Sequence, residues 1–341
     1  MGGGAGRRLR GAPGRRRAGE PDASVWFRLV ERDRRVLELL AEHRVLTTGQ
    51  ITAVEFSSVR RAQDRMRQLR GLGVVFSFRD SYATGGTSES RFALGYVGAR
   101  MMAARRAVTP PTAKEHTQRL ERLALWPKLA HHLGVNDFFC RLAAYSNPAR
   151  PALAASPDAG ALTQWWSERR CADFFWTHQG VKGEARIRPD GYGCWESGGR
   201  VVRFFLEYDT GTESLRVVAR KISGYGGFPS DRFGVLLFSF HSARRETAFR
   251  AGLGKMLGGY DAGVVIATTA RDLPAQEYPA GPVWALWSAR EPCPARERLR
   301  LADLPERGPR VRHHTPDLPY GRAAFAPNDP AVFRLLSTDA A

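Results

Sequence analysis

An uninterrupted apolar run of strand length, Phe233–Phe240, most constrains the fold of this chain of 341 residues. It has the sequence FGVLLFSF and lacks the alternation of polar and apolar residues that a strand with one solvated face shows. A strand of this kind is buried on both faces, in a sheet that other elements cover on both sides. The run therefore predicts a layered α/β domain in the C-terminal half of the chain.

The segments around this run predict a sandwich of helices on a mixed sheet. Helices are expected at 132–146, 212–224 and about 243–257, and strands at 162–166, 187–195, 201–209, 233–240 and 263–268. We assign residues 132–270 to this domain. Residues 271–341 contain repeated prolines and few apolar runs, which predicts an extended C-terminal region.

The N-terminal third predicts a different module. Three helices are expected at 28–46, after Thr47-Thr48, and from Ser57 or Ser58 to about Leu72, followed by strands at 74–79 and 91–96 around a Gly/Ser turn at 84–88. Three helices followed by a hairpin is the order of a winged helix-turn-helix domain, which we place at 28–97. Residues 98–131 are expected to form a helical connector, interrupted at Pro110-Pro111.

The third helix would be the recognition helix of that domain. Ala62, Met66 and Leu69 have the spacing of a buried helix face. The candidate DNA-binding residues lie on its other sides and are Arg60, Arg61, Gln63, Arg67 and Gln68. The alternative is a small helical module whose arginine face is merely solvated.

The net charge favours a polyanionic partner. The chain has 52 Lys and Arg against 34 Asp and Glu, a formal charge of +18. Residues 1–109 alone hold 21 basic against 10 acidic side chains, so the charge is concentrated near the N-terminus. Nucleic acid is the first candidate partner. The alternative is a coding bias towards arginine, since only five of the basic residues are lysine.

Other features bear on location. Residues 1–22 are rich in Gly, Pro and Arg and are expected to be a disordered basic arm. No apolar run reaches the roughly 18 residues of a membrane span, and the N-terminus lacks the apolar stretch of a secretory signal. We therefore expect no membrane partner and a cytoplasmic location. The cysteines form no Cys-x-x-Cys pair; they are Cys140, Cys171, Cys194 and Cys293.

A hairpin with two glycines brings carboxylates together. If Gly198-Gly199 is a two-residue turn, Asp190 lies opposite Glu207 across the strands. Like charges in this arrangement repel each other, and a divalent cation or a shared proton relieves the repulsion. Because side chains alternate along a strand, Asp209 is expected on the same face as Glu207. Three carboxylates on one face are suitable ligands for Mg²⁺ or Mn²⁺.

Structural interpretations of the same residues stay open at this point. Asp190 follows Pro189 and could be a turn residue, while Asp209 could pair with Arg188, which the same register places opposite it. Thr210 and Glu213 have the spacing of a capping box at the start of the next helix. That helix start could also receive a phosphate.

These residues resemble the core of PD-(D/E)xK nucleases. Pro189-Asp190 is followed by Glu207-Tyr208-Asp209 within the expected order of helices and strands, although Asp209 stands where the motif has lysine. The resemblance implies a lysine supplied from the following helix, where Lys221 is one of the five lysines of the chain. It implies Asp190, Glu207 and Lys221 as catalytic residues, and Asp190, Glu207 and Asp209 as metal ligands.

The chain more specifically resembles the replication-relaxation family over roughly residues 30–270. The resemblance rests on an N-terminal winged helix, on H-x-L-G-V-N-D at 131–137, on R-P-D at 188–190, on F-x-E-x-D-x-G-T-E at 205–213, and on Lys221 and Tyr225. It implies an α+β protein with a winged helix-turn-helix domain followed by a restriction-endonuclease-like domain. It also implies a role in the replication and relaxation of plasmid or mobile-element DNA.

Two functions follow as hypotheses. The first is a double-stranded DNA-binding protein that nicks DNA with Mg²⁺ or Mn²⁺. The second is a DNA-binding regulator or replication initiator without catalysis, whose second domain is a clamp or an interaction platform. Other replication or mobilisation proteins and a second copy of the chain are candidate partners. A covalent tyrosine mechanism is not supported, because no histidine triad accompanies the doublet His131-His132.

Overall fold

A computed structural model describes most of the chain, in seven segments. These are residues 23–80, 86–177, 187–226, 234–257, 262–274, 278–288 and 297–305. The predicted basic arm at 1–22, residues 84 and 85 at the start of the predicted Gly/Ser turn, Phe233, Cys293 and the part of the C-terminal region beyond 305 lie outside these segments.

The predicted order of three helices and a hairpin near the N-terminus is confirmed. The elements are α1 (Ala23–Phe27), α2 (Glu31–His43), β1 (Leu46–Thr47), α3 (Thr48–Glu55), α4 (Val59–Gly71), β2 (Val75–Phe78) and β3 (Arg91–Leu94). The strands form an antiparallel sheet in the order β1-β3-β2. The short helix α1 and the two-residue strand β1 were not predicted.

Local capping determines where α3 and α4 begin. The Thr47 side chain accepts a hydrogen bond from the Gln50 backbone, and the Gln50 side chain accepts one from the Thr47 backbone. Ser58 caps α4 by accepting from the Arg61 backbone, as the sequence predicted. Ala62, Met66 and Leu69 are fully buried, which confirms the predicted core face of α4.

Four further helices follow before the second sheet. They are α5 (Tyr96–Arg105), α6 (Ala113–Ala124), α7 (Leu129–Ala143) and the single turn α8 (Pro151–Ala154). The predicted interruption around Pro110-Pro111 lies between α5 and α6. Helix α7 packs against α3 on one side and against strands β4 and β6 on the other. It therefore joins the N-terminal helices to the second sheet.

The second sheet has six strands and makes the molecule a mixed α+β protein. Its elements are β4 (Ala161–Ser167), α9 (Glu168–Thr177), β5 (Gly191–Ser197), β6 (Arg200–Tyr208), α10 (Leu215–Tyr225), β7 (Val235–Phe240), α11 (Ala243–Leu257), β8 (Ile266–Ala270) and β9 (Ala285–Leu286). The strands lie in chain order, with β6, β7 and β8 parallel and the other neighbours antiparallel. Helix α9 was not predicted, and β5 begins at Gly191 rather than at Ile187.

Strand β7 confirms the prediction made from its apolar run. All six of its residues are buried. Val235 and Leu237 belong to a core shared with α7 and the N-terminal helices, whereas Leu236, Phe238 and Phe240 belong to a core beneath α10 and α11. The sheet is therefore covered on both faces, because alternate residues of one strand point into two different cores.

The β5–β6 hairpin has the predicted register. Gly198 and Gly199 both have positive φ angles, 55° and 77°, which a two-residue turn of this type requires. Tyr192 pairs with Phe205 and Trp195 with Val202.

Part of the C-terminal region packs on the sheet. The sequence placed residues 278–305 in an extended segment, but β9 extends the sheet beyond β8 and Trp284 is fully buried. Arg250, buried in α11, donates hydrogen bonds to the carbonyl oxygens of Ala285 and Leu286. Among the helices that the structure describes, none combines the length and apolar character needed to cross a membrane.

Candidate functional site

The ends of β5 and β6 bring two carboxylates together. Gly191 pairs with Leu206, and the Asp190 backbone amide donates to the Leu206 carbonyl oxygen at 3.0 Å. The paired register ends at Gly191 and Leu206, and the Leu206 carbonyl also receives the amide of Asp190, so Asp190 departs from the regular ladder. Asp190 and Glu207 nevertheless line one cavity, and the charge of Asp190 acts on Glu207. Their direct opposition across the strands stays a prediction.

Glu207 is buried and receives two hydrogen bonds from α10. Lys221 Nζ donates to Glu207 Oε2 at 3.0 Å, and the Tyr225 hydroxyl donates to Oε1 at 2.6 Å. The two donors are four residues apart, so they lie on the same face of the helix. Helix α10 thus holds both oxygens of Glu207 in place.

The charge of Glu207 is disfavoured by its surroundings. Burial and the nearby charge of Asp190 raise the pKa of Glu207 to about 7, although Lys221 and Tyr225 act in the opposite direction. Burial lowers the pKa of Lys221, but the charges of Glu207 and Asp190 outweigh that effect and raise it. Lys221 is therefore a cation, and Glu207 changes its protonation state near neutral pH.

Asp190 is positioned by β6 and by α7. Its Oδ2 accepts a hydrogen bond from the Tyr208 backbone amide at 2.8 Å. His131 Nε2 donates to the Tyr208 carbonyl oxygen at 2.8 Å and lies 3.3 Å from Asp190 Oδ2. Burial lowers the pKa of His131, but the hydrogen bond and charge of Asp190 raise it to a greater extent.

The sequence assigned His131 no role in the site, although it opens the H-x-L-G-V-N-D motif. Gly134 of the same motif allows α7 to approach β6 closely, because a Cβ there would come within 2.6 Å of the Tyr208 ring.

Asp209 lines the same cavity as Asp190 and Glu207, but a separate arginine holds its carboxylate. Arg245 of α11 binds it with both arms of its guanidinium group, at 2.6 and 2.8 Å. His241 Nδ1 lies 3.4 Å from the same carboxylate. The alternative pairing of Asp209 with Arg188 is wrong, because Arg188 pairs with Glu168 at 2.9 Å.

The described residues therefore contain a pair of carboxylates in place of the predicted triplet. No group of three or more His, Cys, Asp or Glu side chains within them could hold a metal ion. Asp190 and Glu207 still fit a site of the kind that Mg²⁺ uses, with one or two carboxylates and the remaining positions filled by water and phosphate. The influence of Asp190 on the pKa of Glu207 supports that fit, because a cation would relieve this repulsion.

The predicted capping box at Thr210 and Glu213 is wrong. Helix α10 begins at Leu215, and Ser214 is its N-cap, with its hydroxyl accepting from the Val217 backbone at 3.4 Å. The Glu213 carboxylate lies instead 3.2 Å from Lys221 Nζ. Lys221 therefore bridges Glu207 and Glu213.

These side chains border an open cavity of about 290 Å³. Its walls come from the start of α7, the ends of β5 and β6, and α10. The lining includes Lys128, His131, Asp190, Glu207, Thr210, Thr212 and Lys221. Asp209 and Glu213 also line the cavity, so it contains four carboxylates and two lysines. Arg245 binds Asp209, and Lys221 bridges Glu207 and Glu213. A cation held by Asp190 and Glu207 would allow the cavity to bind a phosphodiester.

Helix α4 displays its candidate DNA-binding residues to different degrees. Arg60, Arg61 and Gln63 are exposed. Arg67 is exposed as well but pairs with Asp64 at 2.8 Å. The Gln68 side chain accepts a hydrogen bond from Arg65. Of the three arginines in the set, Arg60 and Arg61 therefore make no ion pair with a carboxylate in the described part of the chain.

Together, the fold and the site define a mixed α+β protein with an arginine-rich helix and a separate carboxylate–lysine pocket. The family model described as replication-relaxation matches residues 37–232, which include both features. The chain belongs to the replication-relaxation family. No curated protein and no solved structure matches it.

Proposed function

We propose that this member of the family binds double-stranded DNA of a plasmid or mobile element and nicks it during replication or relaxation. In this proposal the N-terminal part acts as a winged helix-turn-helix domain and the six-stranded sheet with its helices as a nuclease-like domain. Other replication or mobilisation proteins and a second copy of the chain are its proposed partners.

The observation that carries the proposal is the meeting of Asp190, Glu207 and Lys221. Lys221 Nζ lies 3.0 Å from Glu207, and Asp190 lines the same cavity close enough for its charge to act on Glu207. The three residues come from three separate elements and line one cavity. A lysine this close to a carboxylate pair matches the arrangement that the resemblance to PD-(D/E)xK nucleases implies, with the lysine supplied by the following helix.

Each residue has a role in phosphodiester cleavage. Asp190 and Glu207 would hold Mg²⁺ or Mn²⁺, which supplies Lewis-acid activation of the phosphate and of a bound water. Lys221 would place its ammonium group beside the phosphate and stabilise the negative charge that develops there. Tyr225 keeps Glu207 oriented through its hydroxyl hydrogen bond. His131 positions Asp190 through the contacts described above.

Helix α4 supplies the duplex-binding part of the proposal. Its exposed arginines lie opposite a fully buried face, as in a helix that enters the major groove. The hairpin β2–β3 follows directly and would be the wing.

A second candidate function is a clamp or platform without catalysis. The observation that favours it is the two-armed hold of Arg245 on Asp209, which leaves two carboxylates beside Lys221. Under this alternative the pocket binds DNA phosphate but does not cut.

Supercoiled plasmid distinguishes the two functions. The protein is incubated with plasmid in Mg²⁺, in Mn²⁺ or in EDTA, and open-circular product is measured on a gel. Nicking that depends on a divalent cation and is lost in Glu207→Gln and Lys221→Met supports the nuclease. The control is Glu196→Gln, which removes a carboxylate from the other end of the same hairpin. Binding of the plasmid without any nicking supports the clamp.

A further inference from the structure

A second cavity, of about 600 Å³, lies between the N-terminal helices and α6. Its floor includes Leu40, Leu94 and Leu120. Its walls carry four arginines and one tryptophan, which are Arg44, Arg119, Arg122, Arg169 and Trp126. We call this cavity the arginine groove.

The arginines of the arginine groove have few carboxylate partners. Within the described residues, Arg44, Arg119 and Arg122 make no ion pair with a carboxylate, and Arg169 lies 3.8 Å from Glu42. By contrast, Arg35 and Arg65 outside the groove each bind a buried carboxylate directly. Since exposed cations without partners attract anions, the groove is suited to a polyanion.

An aromatic ring lies among these cations. Trp126 is half-buried, and the guanidinium group of Arg44 lies 5.6 Å from its ring centroid. The Trp126 ring also lies 5.1 Å from the ring of His132, so only part of it stays accessible. Arginines beside a partly exposed ring are the combination with which proteins hold unpaired nucleotides, because the ring stacks on a base while the cations bind phosphates.

The arginine groove and the carboxylate pocket are lined by residues that follow one another in the chain. Trp126 lines the groove, and the next two residues, Pro127 and Lys128, line the pocket. His131, one helical turn further on, contacts Asp190. A strand lying in the groove would therefore be led along the start of α7 towards Asp190 and Glu207.

We propose that the arginine groove binds single-stranded DNA and delivers it to the carboxylate pocket. One base stacks on Trp126, and Arg119 and Arg122 bind the flanking phosphates. A paired base cannot stack in this way, so the groove selects an unwound strand while α4 binds the duplex beside it. The delivery step rests on the proposed nuclease function, whereas the binding step does not.

The test uses the full chain and a labelled single-stranded oligonucleotide of mixed sequence. Affinity is measured by fluorescence anisotropy over a series of salt concentrations. Arg119→Ala/Arg122→Ala should weaken binding at least about tenfold and lower the salt slope by about 1.4, the value for two lost phosphate contacts. Trp126→Leu should weaken it at least about fivefold, and Trp126→Phe should restore most of the loss.

The matched control is Arg216→Ala/Arg220→Ala, which removes the same charge from two exposed positions of α10. It should leave single-strand affinity within about twofold of wild type. The proposal is overturned if wild type does not bind the oligonucleotide, or if both double variants lower its affinity equally. Plasmid nicking by the same proteins is measured in parallel, so that failure of the nuclease hypothesis can be distinguished from failure of the groove proposal. Groove-dependent binding without nicking supports the groove and rejects catalysis.

Discussion

At the scale of single residues, the surroundings of Glu207 disfavour its charged form. Burial is the main cause that raises its pKa from 4.5 to about 7, and the negative charge of Asp190 is the second. Between these values the folded state binds more protons than the unfolded state. The contribution of this residue to stability is therefore complete below pH 4.5 and is lost as the pH rises through 7.

Glu207→Gln should remove this pH dependence. Between pH 4.5 and 7, the free energy of unfolding of wild type should fall relative to that of the variant by up to about 3 kcal/mol. The substitution also removes the ion pair with Lys221, which shifts the stability of the variant at every pH. The test is therefore how the difference in free energy of unfolding between wild type and variant changes with pH. Urea unfolding at several pH values measures it. Parallel curves for the two proteins would show that Glu207 is charged throughout this range.

The sequence could predict part of this pocket at residue level. The nearness of Asp190 and Glu207 follows from a two-glycine turn that sets the register of β5 and β6. Asp209 could not be placed, because its partner Arg245 lies 36 residues further along the chain and reaches it only through the packing of α11 on the sheet. Lys221 was found through a family resemblance, since its approach to Glu207 depends on the packing of α10.

At the scale of the element, α4 is predicted to bind duplex DNA. Arg60→Ala/Arg61→Ala should weaken binding of a short duplex and reduce its salt slope by about 1.8, the value expected for two lost phosphate contacts. Anisotropy titrations over a salt series measure both quantities. Arg119→Ala/Arg122→Ala, which removes equal charge from the arginine groove, should retain the wild-type duplex slope. Unchanged duplex binding in the α4 variant, with its fold intact, would contradict a recognition helix.

The cap at the start of α3 gives a prediction about stability. Thr47 accepts from the Gln50 backbone, and the Gln50 side chain also donates to the Leu133 carbonyl oxygen of α7 at 2.7 Å. Thr47→Ala should lower the free energy of unfolding by about 1 kcal/mol, because an amide at the helix start loses its partner. Thr47→Ser keeps the hydroxyl and should remain close to wild type. Denaturant unfolding of the three proteins provides the comparison.

Elements defined by local signals were predictable, whereas elements defined by distant packing were not. The Thr47 and Ser58 caps and the apolar run of β7 are visible in the sequence. Helix α9 follows β4 directly, with Glu168 immediately after Ser167 and no turn signal between them. Strand β9 has two residues and depends on hydrogen bonds from Arg250 in α11.

At the scale of the whole molecule, one core extends from the N-terminal helices to the six-stranded sheet. It includes Val36 of α2, Met66 of α4, Phe138 of α7 and Leu237 of β7. The sequence assigned these elements to two separate domains, 28–97 and 132–270, because no local pattern in α7 indicates that it packs on both. We expect this shared core to make their unfolding cooperative.

Two histidines, the buried His43 and the partly buried His132, lie where these parts meet. His43 stacks on Trp165 of β4 with ring centroids 3.6 Å apart, and its carbonyl oxygen accepts from His132 Nε2 at 2.6 Å. Burial lowers the pKa of His43 well below its ordinary value, and burial likewise lowers the pKa of His132 to about 4. Both rings are therefore neutral in the folded protein at neutral pH.

Acid should unfold the molecule through this junction. Unfolded histidine takes up a proton near pH 6.5, whereas folded His132 does so only near pH 4, so stability falls as the pH is lowered between these values. His132 alone accounts for up to about 3 kcal/mol of that fall. His132→Gln keeps a hydrogen-bond donor and should lose less stability than wild type between pH 6.5 and 4. Far-UV circular dichroism during urea unfolding measures each curve, and an equal acid dependence of wild type and His132→Gln would place the acid-sensitive group elsewhere.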